Sequence, residues 1–320
     1  RRFGLGYAPE DFGGLLHYLK RRGFSEEELE TSGLVKRSAK GNLYDIFRHR
    51  VMVPIIDVRG NIIAFGGRVM DDSKPKYINS PETMVYHKSR TLFALNVAKK
   101  STSKRYILCE GYMDVISMHE AGFDTAVCAC GTALTPEQVK LLTEYADEVV
   151  LSYDSDEAGQ KATERSLALF SGTNLQVRVL NIPGAKDPDE FIKNMGADAF
   201  KERIAQAKNS FLFEIDVLKR NYQLEDPEQK TKFYQETAKK LLQFGEPLER
   251  DNYIQAVSRE QMIKEEELRQ LVNRLGMQMG LKAGDSYRED ASGRNVISRE
   301  NGSGPGNDMG RPEYGGNPYE

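Results

Sequence analysis

The chain has 320 residues, 39% hydrophobic and 29% charged, with a formal net charge of -3. That length can bury one sizeable core or two to three smaller ones, which favours an enzyme with subdomains over a lone binding module. No apolar run approaches the roughly 20 residues that span a bilayer, so no membrane partner is expected. The three cysteines, Cys109, Cys128 and Cys130, lie in strand-like apolar runs. They argue against a disulfide framework and for a reducing, cytoplasmic setting.

Charge is unevenly spread. Residues 1–100 carry 18 Lys and Arg against 11 Asp and Glu, whereas residues 104–205 carry 10 against 17. A basic segment beside an acidic one suits a protein that grips a polyanion with one part and gathers cations with the next.

In chain order, residues 9–22 and 25–30 have helical patterns and residues 51–57 and 62–65 are strand-like. Arg59-Gly60-Asn61 between those strands has hairpin chemistry, because Gly and Asn tolerate positive φ. Residues 1–103 therefore read as a basic α+β subdomain. From 104 the pattern alternates: strand 106–109, helix 115–121, strand 125–129, helix 136–145 with Thr135 and Gln138 as a capping box, strand 149–153, helix 157–170 and strand 177–180. Near-continuous apolar strands separated by helices predict a parallel sheet covered on both faces over residues 104–206. Helical spacing at 210–222, 227–244, 246–258 and 265–275 predicts a helical bundle over 207–281. Residues 282–320, rich in Gly, Ser, Asn and Pro, are expected to form a disordered linker. A chain opening on Arg1-Arg2-Phe3-Gly4 is expected to be a piece of a longer protein.

The acids fall at informative places. Glu110 follows the first strand of the α/β segment, and Asp154 and Asp156 follow the third. In a parallel sheet the strand C-termini share one edge, so these carboxylates converge on one crevice. Asp187 and Asp189 follow the fourth strand and can reach the same place. Like charges so clustered are costly unless cations neutralise them. Oxygen-only ligands point to Mg²⁺ or Mn²⁺, with more than one ion expected. Helix capping is the alternative for Asp156, ahead of Glu157, and for Asp187, ahead of Pro188 with Glu190 as partner. The four histidines have no ligand spacing, and no phosphate-loop or dinucleotide fingerprint is present.

Glu110-Gly111-Tyr112-Met113-Asp114 followed by Tyr153-Asp154-Ser155-Asp156 resembles the Toprim signature shared by primases, topoisomerases and some nucleases. Residues 2–9 (RFGLGYAP), 65–69 (FGGRV) and 74–83 (KPKYINSPET) narrow the resemblance to the RNA polymerase domain of bacterial DnaG-type DNA primases. Ser155, where many relatives have Gly, and Cys130 depart from the pattern. The resemblance implies an α/β architecture, with a Toprim parallel-sheet domain flanked by the N-terminal α+β subdomain and the C-terminal bundle. It implies synthesis of short RNA primers from NTPs on single-stranded DNA. It also implies contact with the replicative helicase through a C-terminal domain expected to lie outside this chain, which is itself expected to be monomeric. Glu110, Asp154, Asp156 and Asp114 would be catalytic, with Glu110, Asp154, Asp156, Asp187 and Asp189 as metal ligands. Arg2, Arg48, Arg50, Arg68, Lys76, Tyr77, Asn79 and Lys88 would bind nucleotide or DNA, cations on phosphate and aromatics on bases. The rival readings are a Toprim nuclease or topoisomerase and a noncatalytic single-stranded DNA scaffold.

Overall fold

Alternation of buried and half-exposed residues in the first hundred positions builds a small antiparallel sheet with helices beside it. The computed structural model describes residues 2–282, 284–289 and 295–299. Its first elements are β1 (Gly6–Ala8), α1 (Gly14–Arg21), α2 (Glu26–Thr31), β2 (Val35–Arg37), β3 (Leu43–Asp45), β4 (Arg50–Ile56), β5 (Ile62–Val69), β6 (Tyr77–Asn79), β7 (Leu92–Phe93) and α3 (Leu95–Ala98). The sheet runs β1-β4-β5-β6 and all its pairs are antiparallel, with β4 and β5 joined through the expected hairpin. Asp57 accepts from the amides of Arg59 and Asn61 and closes that turn. Helix α1 starts at Gly14 rather than Pro9. The buried carboxylate of Asp45 accepts from Leu15 N and Leu16 N at 2.8 and 2.9 Å, so its cap comes from another element.

The alternating segment forms β8 (Arg105–Cys109), α4 (Tyr112–Glu120), β9 (Ala126–Ala129), α5 (Pro136–Thr143), β10 (Glu148–Ser152), α6 (Glu157–Phe170), β11 (Gln176–Val179), α7 (Pro188–Ala205) and β12 (Lys208–Asn209). The strand order is β12-β11-β10-β8-β9-β7. The four central strands are parallel, as expected, while β12 and β7 close the edges antiparallel. Val149, Val150, Leu151, Ile107 and Leu108 are almost wholly buried. Each such side chain contributes roughly 1.5–3 kcal/mol by leaving water. Thr135 and Gln138 form the predicted capping box on α5.

The chain divides into two compact units, the first ending at Phe213 and the second starting at Glu214. Packing and sheet topology both run across the expected boundary at 103/104. β7 belongs to the parallel-sheet assembly, and one core cluster joins Phe3, Val53, Ile55 and Tyr86 to Ile107, Tyr112 and Val115. α8 (Ser210–Lys219) leads into the second unit, where α9 (Pro227–Leu241), α10 (Pro247–Gln261) and α11 (Glu265–Gln278) pack on one another. Phe233, Leu241, Ile254, Val257, Leu268 and Val272 are buried there. Within the segment expected to be a linker, β13 (Ser286–Glu289) pairs antiparallel with β14 (Asn295–Ser298), and Tyr287 N bonds Leu242 O at 2.8 Å. The sparse apolar residues there are enough because Tyr287 is itself buried. The rest of the linker expectation, from 300 onward, lies outside the described residues. No helix among the described residues is long and apolar enough to cross a membrane.

Candidate active site

Register brings the acids together. Cys109, Ser152 and Cys128 stand level at the carboxyl edge of the parallel strands. Glu110 is the next residue after β8 and Asp154 the second after β10. Asp154 N donates to Glu110 Oε2 at 3.3 Å, so the two acids predicted from different strand ends adjoin. Asp154 is pushed up to about 6, first by partial desolvation and then by Glu110, Asp187 and Asp156, with Lys186 opposing. Asp114, more deeply set, is also pushed up to about 6 by burial. Gly111 N, donating to Asp114 Oδ2 at 3.0 Å, opposes the rise, and Asp154, Asp187 and Glu110 add to it. Five carboxylates therefore feel one another at one sheet edge. Among the described residues no three of them close on a single point as a ready-made cage. The donor set nevertheless fits a hard divalent ion, since it is all oxygen and its members hold one another's charge at a cost that a cation would relieve.

Capping and crevice placement coexist. Asp156 accepts from Gly159 N at 2.9 Å and caps α6, and Asp187 accepts from Glu190 N at 2.8 Å and caps α7. Glu190 reaches back to Lys186 N rather than to Asp187 N, so the box is shifted by one residue from its expected form. Asp189 has partners of its own. Ser117 Oγ donates to one of its oxygens and Lys193 Nζ, at 2.5 Å, to the other. Burial works to raise Asp189, but the bonds from Lys193 and Ser117 outweigh it and hold the carboxyl below the usual range.

Ser155, noted above only as a departure from the family pattern, and Gly159 shape the loop. Ser155 N and Oγ both donate to Lys186 O at 3.0 Å, and Oγ also to Ala185 O at 2.8 Å, tying the 154–156 loop to the one before α7. A Cβ on Gly159 would lie 2.0 Å from Asp154 O, so only glycine lets α6 start this close to the loop. A glycine in the first turn of a predicted helix is the one signal that pointed there.

The basic residues divide. Arg68 of β5 faces its cross-strand partner Tyr77 of β6, with the guanidinium 5.7 Å from the ring centroid, and its charge reaches Asp189. Asp114 in turn acts on Tyr77, so that face of the small sheet borders the acidic edge. Lys76 is exposed, and Lys88 is half-buried in a short 3₁₀ turn (Lys88–Arg90). Asn79 is engaged at both ends, accepting from Tyr112 Oη at 2.9 Å and donating to Cys130 O at 3.2 Å, which fastens the small sheet to the large one. Arg50, expected among the nucleotide- or DNA-binding residues, is turned inward. It is buried, and its donors go to Gly67 O in β5 and to Pro75 O and Lys76 O just ahead of β6, so its guanidinium braces the backbone there. Arg48 likewise stacks over Phe12 and Tyr44 and bonds Asp45 O. Arg2 lines a cavity with Phe3, Ile116 and His119, at the far end of α4 from Glu110. A helix of that length, roughly 1.5 Å per residue, keeps Arg2 away from the acids.

A parallel sheet with an acid after its first strand and a pair after its third defines a Toprim-like domain, and a family model of that description matches residues 107–192. Residues 1–99 match the DNA primase catalytic core, N-terminal domain, and residues 211–266 the DnaB-helicase binding domain of primase. A solved DNA primase domain from Pseudomonas aeruginosa is 35% identical, with a TM-score of 0.71 over 85% of this chain and 87% of that one. A DnaG primase catalytic domain bound to ssDNA is also 35% identical, with a TM-score of 0.65 over 72% and 76%. The DNA primase of Clostridium acetobutylicum is 41% identical over 274 residues, 85% of this chain and 46% of the relative. The chain belongs to the DnaG-type DNA primase family. It spans less than half the length of the curated relative it matches at 41% identity.

Proposed function

We propose that this chain is the nucleotidyl-transfer core of a primase, a DNA-directed RNA polymerase that makes short RNA primers from NTPs on a single-stranded DNA template in the cytoplasm. The observation that carries the reading is the coupling of Glu110 and Asp154 at the sheet edge, with Asp114, Asp156 and Asp187 bearing on it, beside the Arg68–Tyr77 face. Glu110, Asp154 and Asp156 offer carboxylate oxygens for Mg²⁺ or Mn²⁺, with Asp187 close by. Such an ion supplies charge compensation to a triphosphate and lowers the pKa of an attacking hydroxyl. Asp114, tied to Gly111 N, keeps the start of α4 in place behind Glu110. Arg68 and Lys76 attract phosphate, and the half-exposed ring of Tyr77 offers a face to an unpaired base. The related catalytic domain bound to ssDNA supports single-stranded DNA as a partner of this one.

A helicase contact has a candidate place within the chain as well as in the expected further domain. The sequence puts it in a domain outside the chain, and residues 211–266 also match the primase domain described as binding the DnaB helicase. That similarity supports docking through α9 and α10. Incubation with single-stranded DNA, labelled NTPs and Mn²⁺ tests the reading. RNA oligonucleotides are the expected product, and cut DNA or binding without product would overturn it.

A further inference from the structure

Asp189 looks from sequence like one more ligand of the crevice, yet both its oxygens are in use. Ser117 Oγ, on α4, donates to Oδ1, and Lys193 Nζ, one turn further along α7, donates to Oδ2 at 2.5 Å. Across from them stands Arg68 of β5, whose charge acts on both Asp189 and Lys193. Strand β5 and helix α7 thus bring two cations, Arg68 and Lys193, to the Asp189 carboxylate that α4 fixes through Ser117, and Asp187 also bears on Lys193. An exposed lysine paired at i,i+4 is ordinarily little more than solvated charge. This pair differs because the second oxygen of Asp189 is fixed by Ser117, so the carboxylate cannot swing with the lysine. Long side chains on a helix lean toward its N-terminus, which aims Lys193 back at Asp187 and the crevice.

We propose that Lys193, oriented by the Ser117–Asp189 pair, binds the triphosphate of the incoming nucleotide together with Arg68. Asp189 and Ser117 are then positioning residues. A triphosphate suits the place better than a backbone phosphate. It concentrates several negative charges beside the acids that would hold its counter-ions, within reach of two cations rather than one. The inference rests on reading the crevice as a nucleotidyl-transfer site.

The test compares Lys193→Gln, Lys193→Arg and Ser117→Ala with the wild type, in equilibrium binding of GTP and GMP with Mn²⁺, in single-stranded DNA binding and in steady-state primer synthesis. Lys193→Gln should weaken GTP about tenfold, the size of one lost charge-assisted hydrogen bond. GMP and DNA binding should stay within about twofold, and KM for NTP should rise with kcat nearly unchanged. Lys193→Arg should keep most of the GTP affinity, and Ser117→Ala should lose about threefold. Unchanged GTP binding in Lys193→Gln, or equal losses for GTP and GMP, overturns the proposal. A loss confined to DNA binding does so too, by assigning the lysine to the template backbone. If the wild type primes normally while Lys193→Gln binds GTP as well as it does, this inference alone fails. If the wild type makes no primer although Lys193→Gln loses GTP selectively, the functional reading fails and the phosphate contact stands.

Discussion

Asp154→Asn removes one charge from a crevice in which Glu110, Asp187 and Asp156 already bear on it. The carboxylate accepts no hydrogen bond among the described residues, so the amide forfeits none. A carboxyl raised from an ordinary 3.8 to about 6 corresponds to about 3 kcal/mol if fully desolvated. Asp154 is only partly buried, and solvent screening reduces this to about 1 kcal/mol. The folded value lies above the unfolded one, so the ionised group destabilises the fold above pH 6. That penalty fades as pH falls through 6 toward the usual carboxylate range, where both states hold the proton. In EDTA at pH 8 the variant should therefore melt about 2–4 °C above the wild type, with the advantage gone near pH 4. Mn²⁺ should raise the wild-type melting temperature more than that of the variant, since a ligand bound only by the folded state stabilises in proportion to affinity. Thermal melts across that pH range, with and without Mn²⁺, read all three. A variant that melts lower at pH 8, or a difference that ignores pH, would refute the crowded-carboxylate argument.

Arg68→Ala and Lys76→Ala should each weaken single-stranded DNA or NTP binding and flatten its salt dependence by about 0.7 in log–log slope for every phosphate left without its cation, measured by titration at several salt concentrations. Arg50→Ala should instead lower the melting temperature by about 4 °C or more, because one buried and two part-buried carbonyls lose a donor; a stable variant with weakened DNA binding would favour Arg50 as a DNA-binding residue. Gly159→Ala should abolish primer synthesis and cost about 1–3 kcal/mol in denaturant melts, since its methyl meets the Asp154 carbonyl; normal activity would show that the loop yields freely. Asp45→Ala should cost about 1–3 kcal/mol by orphaning Leu15 N and Leu16 N, with loss of helical circular dichroism at lower temperature as the readout.

The parallel sheet was legible because its apolar runs and helix caps are local, and the acids after Cys109 and Tyr153 needed only strand order to be brought to one edge. Short strands such as β1, β6 and β7 were not legible, since two or three residues carry no period and pair only with distant partners. The same limit hid the cap of α1, whose carboxylate lies 29 residues away in Asp45. Side-chain fate was harder still. Arg50 and Arg68 are equivalent in composition, yet one is buried under three carbonyls and the other lies over Tyr77 facing the acids. Asp189 read as a ligand because its spacing fits, while the hydroxyl that holds it comes from Ser117, 72 positions earlier.

The most direct test of the central claim is the Mn²⁺ dependence of RNA synthesis on single-stranded DNA by the wild type, Glu110→Gln and Asp154→Asn, measured beside Mn²⁺ binding by electron paramagnetic resonance. The wild type should bind Mn²⁺ and make RNA in step with it, while both variants bind weakly and make none. RNA synthesis that persists in either variant, or Mn²⁺ binding unchanged by both substitutions, would contradict the account.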